Sequence, residues 1–104
     1  MIKVAINGYG RIGRVAHRVI LDRFANQIEI VAINGGGSTD VKGWAYLLKY
    51  DTAYGVLSGH TVEGIPGYLV VDGKNIPFLT EKDPGKLPWK QLDVDVVIEC
   101  TGAF

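Results

Sequence analysis

The spacing of apolar residues changes several times along the chain, and each change predicts an element. Ile2 to Ile6 is mostly apolar and β-branched, with Lys3 the one exception. It reads as a strand buried on both faces, as in a parallel sheet. Asn7-Gly8-Tyr9-Gly10-Arg11-Ile12-Gly13 follows. Ile12, Val15, Ala16, Val19 and Ile20 then recur at helical spacing. That spacing predicts an amphipathic helix with Arg11, Arg14, Arg18, Asp22 and Arg23 on its other face. Asn26-Gln27 breaks the period, and Ile28 to Ile33 is a second buried strand. Strand, crossover helix and strand in about 33 residues is the size of one βαβ unit.

Asn34-Gly35-Gly36-Gly37-Ser38 is a loop. Thr39 and Asp40 are alternative caps for a helix running to Tyr50, with Val41, Trp44, Ala45 and Leu48 on its apolar face. From Tyr54 to Thr80 the pattern turns to short strands. Tyr68 to Val71, Asp72-Gly73 and Lys74 to Leu79 predict a hairpin with a type I′ turn. Asp83-Pro84 and Leu87-Pro88-Trp89 predict turns and a short helix, and Val94 to Glu99 a further strand. The expected fold class is α/β: a Rossmann-like, mostly parallel sheet, the first half of a doubly wound dinucleotide-binding domain, with a small β-hairpin insertion. There is no repeat, low-complexity tract or linker. The chain stops just past a core strand with no closing helix, so residues 1–104 are expected to be an incomplete N-terminal domain of a longer protein.

Composition narrows the classes. A hydrophobic fraction of 47% predicts a globular core rather than disorder. Lysine plus arginine (11) equals aspartate plus glutamate (11), so charge gives no reason to propose nucleic acid or an anionic membrane as partner. The single cysteine, Cys100, excludes an internal disulfide and a cysteine-cluster metal site. It fits a reducing cytosol, and a cytoplasmic location is expected. The apolar opening is too short for a signal sequence, and the longest apolar runs fall far below the roughly 20 residues of a membrane helix.

Gly8, Gly10 and Gly13 form G-x-G-x-x-G between a strand and a helix. Gly8 permits the tight turn, Gly10 lets a pyrophosphate approach the backbone, and Gly13 lets the helix pack closely on the sheet. The helix N-terminus adds free N–H groups and a positive dipole end. Alone the motif is weak; strand, helix and second strand around it make dinucleotide binding the expected role. Cations at Arg11 and Arg14 oppose the dipole by about 0.3–1 kcal/mol each. A bound pyrophosphate offsets that, although Arg14 reads equally well as a surface arginine. In this architecture an acidic residue ends the second strand and binds the adenosine ribose. Here Ile33 is followed by Asn34-Gly35, and the next acid is Asp40. The electrostatic barrier to a 2′-phosphate is therefore missing, and three glycines leave room for one. No arginine follows to hold it, only Ser38, Thr39 and Lys42. The cofactor is expected to be NAD or NADP, with weakened NAD selectivity. The alternative is that Asn34 and main-chain groups still hold NAD adequately.

Ala5-Ile6-Asn7-Gly8-Tyr9-Gly10-Arg11-Ile12-Gly13-Arg14 closely resembles the opening of the glyceraldehyde-3-phosphate dehydrogenases. Val31 to Asn34, Leu48 to Gly55 and Val96 to Phe104 are similar to later segments of that family in the same order, and Glu81-Lys82-Asp83-Pro84 with Leu87-Pro88-Trp89 also fits. The resemblance implies a phosphorylating oxidoreductase of glycolysis, usually a homotetramer, acting on the aldehyde of glyceraldehyde 3-phosphate. It implies that Arg11 and Ile12 present backbone N–H groups to the pyrophosphate. Gly35 takes the place of the family's ribose-binding aspartate, and Lys82 a position, usually arginine, near the adenine. Cys100, Thr101 and Gly102 match the family's Ser-Thr-Gly near the cofactor's middle. The catalytic cysteine of the family lies in a Ser-Cys-Thr-Thr-Asn segment and its histidine further on; neither segment is among these residues. No catalytic residue is assigned, and Cys100 stands where the family has a small serine. Three other readings stay open: the sister activity erythrose-4-phosphate dehydrogenase, a stand-alone nucleotide-binding module, and an interaction fragment that binds no nucleotide.

His17 is expected on the solvent side of the first helix, and His60 in a turn with no second metal ligand near it. Trp44 and Trp89 read as core or interface anchors. Asp93 and Asp95 read as solvated, and spacing assigns no job to Lys49 or Asp51.

Overall fold

Three apolar segments of the chain meet as neighbouring strands: β1 (Ile2–Asn7), β2 (Ile28–Asn34) and β8 (Val96–Glu99). The computed structural model describes residues 1–35, 40–51 and 54–101. β1 pairs in parallel with β2 on one side and β8 on the other. Between β1 and β2 the chain crosses over through α1 (Arg11–Arg23), which completes the predicted βαβ unit. α2 (Val41–Lys49) follows, then a two-stranded ribbon of β3 (Tyr50–Asp51) and β4 (Gly55–Val56). The chain continues through β5 (Val62–Ile65), β6 (Tyr68–Val71) and β7 (Lys74–Leu79). A short 3₁₀ turn (Pro84–Lys86) then leads toward β8.

The large sheet runs β5-β6-β7-β2-β1-β8. β5, β6 and β7 are antiparallel, and β7 joins β2 in parallel through Ile33–Phe78 and Asn34–Leu79. The predicted hairpin is therefore built into the main sheet. Its turn has positive φ at both Asp72 (52°) and Gly73 (78°), as a type I′ turn requires. The core runs along the sheet through Val4, Ile6, Ile30, Ile33, Leu69 and Phe78 and reaches α2 at Val41, Ala45 and Leu48. Asp40 caps α2, its carboxylate accepting from the Gly43 N–H at 3.0 Å.

The buried face of α1 departs from the expected one. Ile12 is 73% exposed and Val19 42%, while Gly13, His17, Arg18 and Ile20 are buried. Hydrophobic period alone misplaces this face because both polar residues find partners inside. His17 Nδ1 shares a 2.7 Å hydrogen bond with the buried Tyr9 hydroxyl. Arg18 reaches past α1 to the end of α2. Its Nε and Nη2 donate to the Leu48 carbonyl at 3.0 and 2.7 Å, and Nη2 also to those of Lys49 and Gly55. It thus supplies donors and positive charge where a helix C-terminus leaves carbonyls open. Lys49 ties the next turn, donating to the carbonyls of Leu57 and His60.

His60 gains partners from two other elements. Folding brings Asp72 to its Nδ1 at 2.7 Å and Asp22 to its Nε2 at 3.1 Å, which links the hairpin turn to α1. The hydrogen bond to Asp72 is the main cause that raises the His60 pKa. Burial alone would raise that of Asp72, but the His60 and Thr61 hydrogen bonds outweigh it and hold it low. Asp95 is exposed, yet its carboxylate accepts from the Lys3 N–H at 2.9 Å and extends the β1–β8 pairing.

The two histidines bend stability with pH in opposite directions. Burial lowers the His17 pKa from 6.5 to about 4. Between those values the unfolded chain binds the extra proton, so stability falls as pH drops, by on the order of 3 kcal/mol. His60, with its raised pKa, contributes fully below pH 6.5 and loses that contribution as pH rises through its folded value. Melting temperatures measured from about pH 5 to 9 are expected to peak near the histidine reference value. His17→Phe should flatten the acid limb and His60→Gln the alkaline one.

Candidate dinucleotide site

The glycine loop lies where β1 ends, at the carboxyl edge of the parallel strands. Gly8 has φ +99°, a left-handed value that disfavours side chains. A Cβ there would also lie 2.6 Å from the Thr101 nitrogen and 2.7 Å from the Cys100 carbonyl carbon. Main chain holds the loop on both sides: the Gly8 N–H donates to Asn34 O at 2.8 Å and the Cys100 N–H to Asn7 O at 2.7 Å. A Cβ on Gly13 would collide with the Gly8 carbonyl oxygen and lie 3.2 Å from Ile6 Cγ2. Gly10 differs from both, since a Cβ there would meet nothing within 4 Å. It is the N-cap of α1, with no side-chain cap and no acid in the first turn. The main chain there is open to an anion, and a helix N-terminus favours one.

A polar ladder built on two buried amides crosses the same edge. Asn7 Nδ2 donates to Glu99 Oε2 at 2.8 Å, and Asn7 Oδ1 accepts from Asn34 Nδ2 at 2.8 Å. Asn34 also donates to the Glu81 carbonyl and accepts from the Glu81 N–H. The amides of Asn7 and Asn34, each 3% exposed, thereby join the ends of β8, β1 and β2 to the segment after β7. Lys82, exposed, follows this clamp directly. The hydrogen bond from Thr101 is the first cause lowering the Glu99 pKa. Burial, then the Glu99 carboxylate, pushes the Cys100 thiol up, so Cys100 is a protonated thiol at neutral pH.

Tyr9 enters the site through main chain alone, because its side chain is 1% exposed and faces inward. Its ring meets Trp44 and Phe78 edge-on at 6.0 and 5.8 Å, and Trp44 stacks on Phe78 at 6.2 Å. Arg14 turns toward the protein: Nη1 donates to the Tyr9 carbonyl at 3.0 Å, and the guanidinium lies 5.7 Å from the Trp44 ring centroid. Arg11 and Ile12 stay exposed beside the opening.

At Gly35 the place of a side chain is filled. A Cβ would fall 2.5 Å from Phe78 Cε1 and 2.7 Å from Phe78 Cζ. Gly36, Gly37, Ser38, Thr39 and Gly102 lie outside the described residues. Folding thus gathers Asn7 to Gly13, Asn34, Gly35, Cys100 and Thr101 at one edge. Sequence reasoning missed Glu99, Phe78 and Trp44 as part of it. Glu99, the last residue of a strand, carried a positional signal; the two rings read only as core. A separate half-open cavity of about 300 Å³, lined by Ile20, Leu21, Ile28 and Ile76 among others, lies at the opposite end of the sheet.

A parallel sheet whose first βα turn is a glycine loop with an open helix N-terminus defines a Rossmann-like, dinucleotide-binding class of domain. Residues 2–104 match the family described as glyceraldehyde 3-phosphate dehydrogenase, NAD binding domain. The chain is 53% identical over 104 residues to a glyceraldehyde-3-phosphate dehydrogenase of Thermotoga maritima, covering 100% of this chain and 30% of that protein. It is 52% identical to the one from Zymomonas mobilis, across 99% of this chain and 30% of that one. It is 51% identical to that of Clostridium pasteurianum, across 100% of this chain and 30% of that protein. The chain belongs to the glyceraldehyde-3-phosphate dehydrogenase family, an oxidoreductase family, as its NAD-binding domain. It spans about 30% of the length of these relatives.

The glycines should separate in urea unfolding. Gly13→Ala forces main chain off main chain and is expected to cost about 3 kcal/mol. Gly10→Ala meets open space and is expected to cost less than about 1 kcal/mol.

Proposed function

We propose that this chain seats NAD or NADP for a phosphorylating glyceraldehyde-3-phosphate dehydrogenase. The observation that carries it is the contrast within one loop: Gly8 and Gly13 are closed by main chain, while Gly10 faces open space at an uncapped helix start. The pyrophosphate rests on the backbone N–H groups of Arg11 and Ile12, with Asn7, Gly8, Tyr9, Gly10 and Gly13 shaping the turn. Asn34 and Gly35 border the adenosine ribose, and Lys82 lies toward the adenine. Cys100, Thr101 and Gly102 line the approach to the nicotinamide. The bound cofactor supplies a hydride acceptor for the aldehyde carbon; this chain's own residues bind and orient. The acid–base and nucleophilic groups, the substrate contacts and a homotetrameric, cytoplasmic state belong to the longer protein in this reading.

With no carboxylate at residue 35, NADP is tolerated or preferred. Calorimetric titration should give dissociation constants for NAD and NADP within about a hundredfold of each other. A preference for NAD beyond that overturns the selectivity reading. Gly10→Ala is expected to weaken both by at least about tenfold without unfolding the chain.

These 104 residues contain no Ser-Cys-Thr-Thr-Asn segment, and Cys100 is held as a thiol. Assayed alone with glyceraldehyde 3-phosphate, phosphate and either dinucleotide, they are expected to form reduced cofactor no faster than a buffer control.

A further inference from the structure

We propose that Phe78 sets the cofactor selectivity of this site, its ring standing where the side chain of an acidic residue 35 would have to go. The inference rests on the dinucleotide reading and names the residue that decides one feature of it.

Residue 35 directly follows β2, and its N–H donates to the Leu79 carbonyl at 2.8 Å, which fixes its backbone against β7. From there a Cβ would point at Phe78, 2.5 Å from Cε1 and 2.7 Å from Cζ. Real Cβ contacts do not come that close, so the ring or the backbone must yield. The far end of a free side chain would yield easily, but this ring is held. It is 5% exposed, lies edge-on to Tyr9 at 86°, and stacks on Trp44 at 29°. Tyr9 is fixed in turn by its hydrogen bond to His17. Moving Phe78 therefore disturbs the cluster beneath the glycine loop.

A second observation points to the same spot. The Trp44 Nε1 is buried with no hydrogen-bond partner among the described residues and lies 3.4 Å from the same Cβ position. A buried donor with no acceptor is a standing cost, normally relieved by a neighbouring carbonyl or carboxylate. Here the acceptor is missing and an aromatic ring fills the place. Residue 35 thus offers an aromatic ring and no carboxylate, which neither grips a 2′-hydroxyl nor repels a 2′-phosphate. Gly35 and Phe78 act as a pair, and restoring the carboxylate alone cannot restore discrimination.

The test compares the unmodified protein with Gly35→Asp, Phe78→Leu and the double variant. Leucine keeps most of the buried volume and lacks the two ring atoms in conflict. Urea unfolding should show Gly35→Asp strongly destabilised and the double variant recovering much of that loss, a non-additive pair. In titrations, the double variant should favour NAD over NADP by about 100-fold more than the unmodified protein, as expected for like charges a few ångströms apart. If Gly35→Asp alone is as stable as the parent and already selective, the ring is no obstacle and the proposal fails. It fails also if the double variant folds, binds both dinucleotides and leaves their ratio unchanged. Should Phe78→Leu not fold, Phe78→Val serves as the second relief of the same contact. If the unmodified protein binds neither dinucleotide, the underlying reading falls and the selectivity claim with it. The unfolding cycle still reports whether Phe78 fills the residue-35 position.

Discussion

Main chain packs on main chain where β1 hands over to α1, and the rest of the carboxyl edge is arranged around that contact. The Gly8 carbonyl lies against the Cα of Gly13, and the far side of Gly8 lies against the backbone of Cys100 and Thr101. No side chain fits between these layers. The helix consequently starts close to the sheet, and β8 comes up against the turn from the other side. Such a contact has a sterically absolute character that a hydrophobic contact lacks, because backbone atoms have no alternative rotamer. It also leaves one position of the loop, Gly10, turned outward into open space.

Two buried clusters keep this arrangement from shearing. The Asn7–Asn34 ladder holds strand ends through paired amides, with contacts of 2.8 to 2.9 Å. Buried amides satisfied in this way specify register, since a shift of one residue leaves several groups unpaired. Below the loop, Tyr9, Trp44 and Phe78 form an aromatic layer anchored by His17 and capped by Arg14. The layer supports the loop, and it also intrudes on residue 35. Support of the loop and the space left at residue 35 therefore depend on the same atoms.

The legible parts of the fold were those where local pattern and tertiary need coincide. The β1–α1–β2 unit, a cap at Thr39 or Asp40 and the Asp72-Gly73 turn all follow from short-range preferences that the packing did not contradict. The face of α1 was misread because aliphatic spacing ranks Ile12 and Val19 above His17 and Arg18. Polarity counts against burial only while a group lacks partners; Tyr9 reaches His17 across the glycine turn, eight residues away, and the Leu48 carbonyl lies 30 residues from Arg18, so neither contact shows in the helical period. The carboxylates that meet His60 are hidden in the sequence because Asp22 lies 38 residues away and Asp72 12. At Gly35 the missing carboxylate was visible, but the ring in its place was not, since Phe78 reads as an ordinary strand residue.

By itself, then, the chain's order of residues determined the kind of elements, the glycine turn and the likeness to a dehydrogenase family. These depend on backbone freedom and period, which neighbours in sequence control. Only the tertiary structure decided which side of α1 faces inward and what occupies the place of an acidic side chain at residue 35. It also decided how the asparagines bind four chain segments together. Those outcomes depend on pairs of groups from different elements, whose separation in space is set by packing and written in no single stretch of the chain.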